Sequence, residues 1–300
     1  MVSKIILVGV ISVLSLMMFF YFLPLNKSLF ISEKLGSNFS LNESEMQFYS
    51  NMRFPDSRIS YKISNCTLQK QNEMESALKI LENLTLLEFY PVDVGEEILV
   101  TCDSRNKIEG DMFIAGEGGP LNVSLIGNFV LIERGKILLI RNSECSRPNI
   151  AIHELLHVLG FKHSENPSNI MYNITSCNQE ISEDIVNLIN ELYSIPSYPD
   201  LTFENVSASM NGRFLNLNMT ILNLGFKDSE NSEVFINLGN KTIETVDLGP
   251  IEIGTGKIVY LENILVSGFN FDEFELEILY SYNEINKENN KIKLKIKNEN

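Results

Sequence analysis

Eleven consecutive residues constrain this 300-residue chain more than anything else in it: His153-Glu154-Leu155-Leu156-His157-Val158-Leu159-Gly160-Phe161-Lys162-His163, which holds all three histidines of the sequence. On a helix, His153 and His157 lie on one face one turn apart, so both imidazoles can hold one metal ion. A continuous helix would carry a residue six places on to a different face. The chain must therefore turn before His163, and Gly160 can adopt the left-handed conformation that ends a helix there. His163 then returns as a third ligand. Three neutral nitrogen ligands on a tetrahedral ion leave one position for water, the arrangement of a catalytic zinc site rather than a closed structural one. Glu154, next to the first ligand, points its carboxylate towards that water. The pattern predicts one Zn2+ on His153, His157 and His163, with Glu154 as the catalytic residue.

What surrounds the motif is ordinary globular chain. Hydrophobic residues make up 44% and charged residues 21%, which excludes a disordered chain, a collagen-like fibre and a polytopic membrane protein. A formal charge of -15 gives no long-range attraction to phosphate backbones, so nucleic acid is excluded as a partner. The length accommodates two domains and some further chain. Ahead of the motif, Lys136 to Ile140 reads as a short strand, with Ser146 and Pro148 as cap and first-turn residues for the helix.

From Ile5 to Leu25 the chain has no charge, and a helix of that length spans about 30 Å, the hydrocarbon thickness of a bilayer. A cleaved secretory signal is the rival reading. It expects a shorter apolar region and a small-residue cleavage site, whereas this run ends in Tyr21-Phe22-Leu23-Pro24. The run therefore reads as a transmembrane signal anchor. Residues 26 to 50 are polar, without a sustained apolar period, and read as a flexible tether. Cys66, Cys102, Cys145 and Cys177 form an even set without Cys-x-x-Cys spacing. Two disulfides in an oxidising compartment fit them, with three connectivities open. Ten Asn-x-Ser/Thr sequons, against about four expected from composition, agree with export. Together these features place the chain beyond the anchor on the extracytoplasmic side of a cell membrane.

With Asn169-Ile170-Met171-Tyr172 downstream of the third histidine, the pattern resembles the metzincin clan of zinc endopeptidases, and within it the matrixin-like members. Ile181-Ser182-Glu183-Asp184-Ile185 resembles the start of that family's final helix, which runs to about Tyr193 and which Ser182 can cap. Arg53-Phe54-Pro55 followed by Ile59, Tyr61 and Ile63 looks like its first strand. Met74, Ala77, Leu78 and Leu81 then give helical spacing, and Ile98 to Val100 another strand. The resemblance covers roughly residues 51 to 194. It implies an α+β catalytic domain, a twisted mixed sheet with an active-site helix and a C-terminal helix, that hydrolyses peptide bonds of protein substrates. It implies that Met171 floors the zinc site, that Tyr172 lies beside it, and that the disulfides join Cys66 to Cys102 and Cys145 to Cys177. The family's inhibitory prosegment cysteine has no counterpart in residues 26 to 50. Gly116, Gly118, Gly119 and Pro120 read as a loop connecting strands.

Beyond Pro196 and Pro199 the pattern becomes short alternating runs, such as Phe214 to Asn218, Glu233 to Asn237, Lys257 to Leu261, Phe274 to Leu279 and Lys291 to Ile296. Residues 198 to 300 read as an all-β sandwich. The run Asn283-Glu284-Ile285-Asn286-Lys287-Glu288-Asn289-Asn290 resembles the end of a CARDB-like (cell-adhesion-related, Ig-type) domain, and its polar side chains read as a turn held by hydrogen bonds rather than a calcium site. The domains expected are thus an anchor (5–25), a tether (26–50), a zinc peptidase (51–197) and a sandwich (198–300) that binds a surface protein or wall component. The function expected is a membrane-anchored zinc metalloendopeptidase cutting proteins at the cell surface. The alternative is a surface adhesion protein with a non-catalytic scaffold, for which a carboxylate at position 154 would have no use.

Overall fold

The computed structural model describes residues 27–33, 45–104, 107–109, 112–142, 145–266 and 273–296. The expected anchor, Ile5 to Leu25, lies outside them, and no helix among the described residues is long and apolar enough to cross a membrane. The chain forms two compact units. One comprises residues 39–198 with 225–227, the other 1–38 with 199–224 and 228–300. The first strand, β1 (Lys27–Glu33), belongs to the second unit.

The first unit is built on a mixed sheet. Strands β2 (Met52–Arg53), β3 (Arg58–Ser64), β4 (Glu88–Pro91) and β5 (Ile98–Cys102) are followed by a short hairpin, β6 (Lys107–Glu109) and β7 (Met112–Ile114), then β8 (Gly116–Ile126) and β9 (Phe129–Leu139). The sheet order is β2-β9-β5-β3-β4 with all these neighbours parallel, while β8 runs antiparallel along β9. Because β8 occupies one edge of β9 along its length, β2 and β5 share the other.

Helix α1 (Leu68–Leu84) buries Lys70, Met74, Ala77, Leu78 and Leu81, a stripe at helical spacing. Thr67 caps its start through the Lys70 N–H. Lys70 is the unusual member of the stripe. Its Nζ donates to the carbonyls of Asp103 at 2.6 Å, Leu139 at 3.2 Å and Ile140 at 2.9 Å, fastening the helix to the ends of β5 and β9. Close by, Cys66 is bonded to Cys102, joining the ends of the parallel neighbours β3 and β5.

Helix α3 (Glu183–Ser194) buries Ile185, Leu188, Ile189, Leu192 and Tyr193. Its end is held by Arg53, only 1% exposed, whose guanidinium donates to the carbonyls of Leu192, Ile195 and Pro55 while its Nε donates to Phe54 O. The guanidinium also stacks on the rings of Tyr193 and Phe226, 4.6 and 4.3 Å from their centroids. Carbonyls at a helix C-terminus carry partial negative charge, and together with the charge of Asp56 they accommodate the buried cation. Ser182, expected to cap this helix, occupies the cap position without a side-chain bond to it; its Oγ instead accepts from Asn169 Nδ2 at 3.1 Å.

The second unit is a continuous antiparallel sheet of eight strands. To β1 it adds β10 (Leu201–Asn211), β11 (Phe214–Asn223), β12 (Ser232–Leu238), β13 (Lys241–Gly249), β14 (Gly256–Leu265), β15 (Glu273–Leu279) and β16 (Lys291–Ile296), in the order β13-β12-β15-β16-β1-β10-β11-β14. On β11 buried and partly buried residues alternate, and Leu215, Leu217, Met219 and Ile221 join side chains of β10, β12, β15 and β16 in one core. Within the expected tether, Lys27–Glu33 is a strand, paired from Lys27↔Asn211 to Phe30↔Ala208 and from Phe30↔Ile296 to Glu33↔Lys293. Polar composition predicts chain without a hydrophobic face. It does not register a strand held by backbone ladders on both sides.

Candidate active site

The histidines are carried by helix α2 (Asn149–Val158), whose residues from Ala151 to Val158 are all buried and which packs against β8 and β9. Its N-cap position is Pro148 and no side-chain cap bond forms there, so the cap expected from Ser146 is absent. The helix ends at Gly160 (φ 93°). Gly160 N–H donates to His157 O and Phe161 N–H to Leu156 O, both at 3.0 Å, the double closure in which glycine takes the left-handed position. A side chain at Gly160 would also strike Met52 Sδ at 2.8 Å. The chain reverses here and brings His163 back.

The three rings meet. His157 Nε2 lies 3.0 Å from His153 Nε2 and 3.1 Å from His163 Nε2. His153 Nδ1 is 2.7 Å from Ile170 O and His157 Nδ1 is 2.7 Å from Phe161 O. A carbonyl can only accept, so each Nδ1 carries the proton and each Nε2 presents a bare lone pair. Two lone pairs about 3 Å apart repel unless a cation lies between them, and a tetrahedral ion with Zn–N bonds of about 2.0–2.1 Å needs nitrogens little farther apart than this. Burial holds all three imidazoles below their ordinary proton affinity and brings His157 down to about 4, with His153 adding to the effect there. They are neutral near pH 7, as ligands must be.

The methionine turn fixes one of these rings. Asn169 Oδ1 accepts from Met171 N–H at 2.8 Å, Tyr172 N–H closes onto Asn169 O, and Ser164 N–H donates to Met171 O. This arrangement aims Ile170 O at His153. Met171 is buried and Tyr172 partly exposed. Cys145, ahead of the helix, is bonded to Cys177, after the turn.

Glu154 is 6% exposed, and burial, followed by the charge of Glu117, lifts its carboxyl to about 8. It is packed by residues that the glycine-rich pattern left in a loop. Gly116, Gly118 and Gly119 lie within strand β8, where a side chain at Gly116 would meet Glu154 Oε1 at 2.8 Å and one at Gly118 would meet Glu154 O at 2.3 Å. Glycine signals a loop in isolation; here it lets a helix backbone approach a strand.

A second group that sequence reasoning did not single out is Met46 to Phe48, assigned to the tether. Lys162 N–H donates to Met46 O at 2.9 Å and Phe48 N–H to Gly160 O at 2.8 Å, with Gln47 bridging to Phe161. Gln47 is buried and its amide exchanges bonds with both backbone groups of Met52. Phe48 stacks on the His157 ring, 5.9 Å between centroids. The chain ahead of β2 therefore braces the turn that delivers His163.

Comparison with protein families matches residues 53–194 to matrixin. With the histidine triad intact in that segment, residues 53–194 are a matrixin zinc metalloendopeptidase domain, and His153, His157 and His163 are its zinc site. The matched segment ends before β10. Comparison with curated proteins gives no match.

Proposed function

We propose that the chain is an exported, membrane-anchored endopeptidase in which Glu154 is the general base. The observation that carries the catalytic part is the pair of imidazoles locked by backbone carbonyls, so that their bare Nε2 atoms converge with that of His163. His153, His157 and His163 would hold zinc, which would supply a Lewis acid to polarise the scissile carbonyl and acidify a water. Glu154 accepts a proton from the attacking water as the new C–O bond forms, and returns it to the amine nitrogen as the C–N bond breaks. Burial against β8 keeps bulk water away from this carboxyl and, with the charge of Glu117 second, raises its proton affinity in the metal-free protein.

Substrates on this reading are proteins, as expected of a matrixin protease. Two disulfides support an oxidising compartment, and the uncharged run from Ile5 to Leu25 supports an anchor. Only Asn26 separates that run from β1, so the reading places the β-unit, rather than a tether, next to the bilayer. Without β1 the β-unit's order becomes β14-β11-β10 and β13-β12-β15-β16, a three- and four-strand division that supports an Ig-type sandwich and, with it, a role in binding a surface protein or wall component.

The test is Glu154→Gln. The protein should bind about one zinc per chain yet cleave a peptide library several orders of magnitude more slowly. Full activity in that variant would remove Glu154 from the mechanism.

A further inference from the structure

We propose, resting on the zinc site described above, that Gln47 and Phe48 are positioning residues for His157 and His163 and thereby set the affinity of the site for zinc. Both precede residues 53–194, the span that matches matrixin. The methionine turn orients His153 through Ile170 O. It does not orient the other two rings.

His157 takes its direction from Phe161 O, 2.7 Å from its Nδ1. One hydrogen bond fixes a point on an imidazole but leaves the ring plane free to swing about that point. Phe48 opposes the swing, because its ring lies over that of His157 with 22° between the planes and 5.9 Å between centroids, within the range of favourable aromatic stacking. Phe48 is 45% exposed, so it adds little to the core. The ring contact it makes is with a metal ligand.

The carbonyl that orients His157 is held by the same segment. Gln47 bridges to Phe161, flanked by the bonds from Phe48 N–H to Gly160 O and from Lys162 N–H to Met46 O. Among the described residues no carbonyl meets His163 Nδ1, so that ligand is placed by its backbone, between Lys162 on Met46 O and Ser164 on Met171 O. Gln47 anchors the brace. It is 4% exposed, and its amide donates to Met52 O at 2.7 Å and accepts from Met52 N–H at 3.0 Å. Met52 in turn lies against Gly160, its Sδ 2.8 Å from where a Cβ would stand. Ligand rings fixed before the metal arrives lose less freedom on binding it, and residues that orient metal ligands typically change metal affinity by about 10–100-fold.

Zinc affinity of the full chain, measured near neutral pH by competition with a chromogenic chelator, tests this without depending on proteolysis. Phe48→Ala should weaken zinc binding by about tenfold, the upper value of an aromatic stack, and Gln47→Ala by about 10–100-fold. Phe48→Tyr should restore wild-type affinity, whereas Phe48→Leu, apolar but without a ring face, should bind no better than Phe48→Ala. Tyr49→Ala, at the exposed neighbouring position, should match the wild type. Unchanged affinity in Phe48→Ala or Phe48→Leu, or an equal loss in Tyr49→Ala, would overturn the positioning role, and the Phe48 series decides even if Gln47→Ala fails to fold. A wild-type chain that bound no zinc would instead overturn the metal site, and this role with it.

Discussion

The contact between β8 and the zinc-ligand helix can be tested with one methyl group. An alanine at Gly118 would put its Cβ 2.3 Å from Glu154 O and 2.9 Å from Glu154 C and Cα, all backbone atoms of α2. None can swing aside by changing a rotamer. Ordinary contact begins near 3.4 Å, so strand and helix must separate by about 1 Å. Overpacking of this kind costs about 1–3 kcal/mol, which for a unit of this size lowers the unfolding temperature by roughly 2–12 °C. The larger effect should be catalytic, because a misplacement of about 1 Å at a reacting group can cost about a hundredfold in rate.

Gly119 is the control, since a Cβ there meets nothing within 4 Å. Gly118→Ala should keep about one zinc per chain, because the ligands move with the helix and its Gly160 turn, while kcat on a fluorogenic peptide falls about a hundredfold. Gly119→Ala should match the wild type in both. If Gly118→Ala retained wild-type kcat and unfolding temperature, or if Gly119→Ala lost as much, the argument that glycine serves here for close approach would fail.

Three further outcomes follow from single observations. Arg53→Met leaves the carbonyls at the end of α3 without their buried donor and should destabilise the peptidase unit by roughly 3 kcal/mol or more, read by denaturant unfolding. In metal-free protein, Glu154 is raised from 4.5 to about 8 and His157 lowered from 6.5 to about 4. The folded state then holds a proton at Glu154 up to about pH 8, but the unfolded state's three histidines still shed protons up to about pH 7.5 and offset part of the effect, so the net fall in stability should be about 1 kcal/mol or less and confined to about pH 7–8. Glu154→Gln should abolish that fall, and a flat wild-type profile would contradict the burial of the carboxyl. Deleting residues 1–38 removes β1 and should lower the unfolding temperature of the β-unit and slow-exchange protection of β10 and β16, whereas removal of a tether would change neither.

Legibility followed how locally each feature is determined. The histidines could be read because metal chemistry and helix period fix their spacing within eleven residues, and the Gly160 turn because left-handed backbone selects glycine. What could not be read depends on partners far away in the chain. Gly116 and Gly118 are in a strand because Glu154 approaches from a helix more than thirty residues later. Arg53 looked like the start of a strand, and nothing local marks it as a buried cation whose carbonyl partners are about 140 residues away. Met46 to Phe48 gained their role only from pairing with the chain after Gly160.

The same reasoning changes the view of how the chain is organised. A tether, a peptidase and a sandwich in series would be independent units, each complete once its own segment was made. Instead the chain contributes β1 to the β-unit, builds the peptidase, and returns at β10, which pairs antiparallel with β1. In chain terms the peptidase is an insertion between two neighbouring strands. An antiparallel pair brings the end of β1 and the start of β10 to the same end of the ladder. The entropy of closing a long connection rises only logarithmically with its length, so the insertion is tolerable at equilibrium. Its consequence is kinetic: β1 must wait for β10, about 170 residues later, and for β16, the last strand described. The β-unit is thus completed after the peptidase has been synthesised, and a break in the chain between β1 and β2 should leave β1 bound by its two ladders alone.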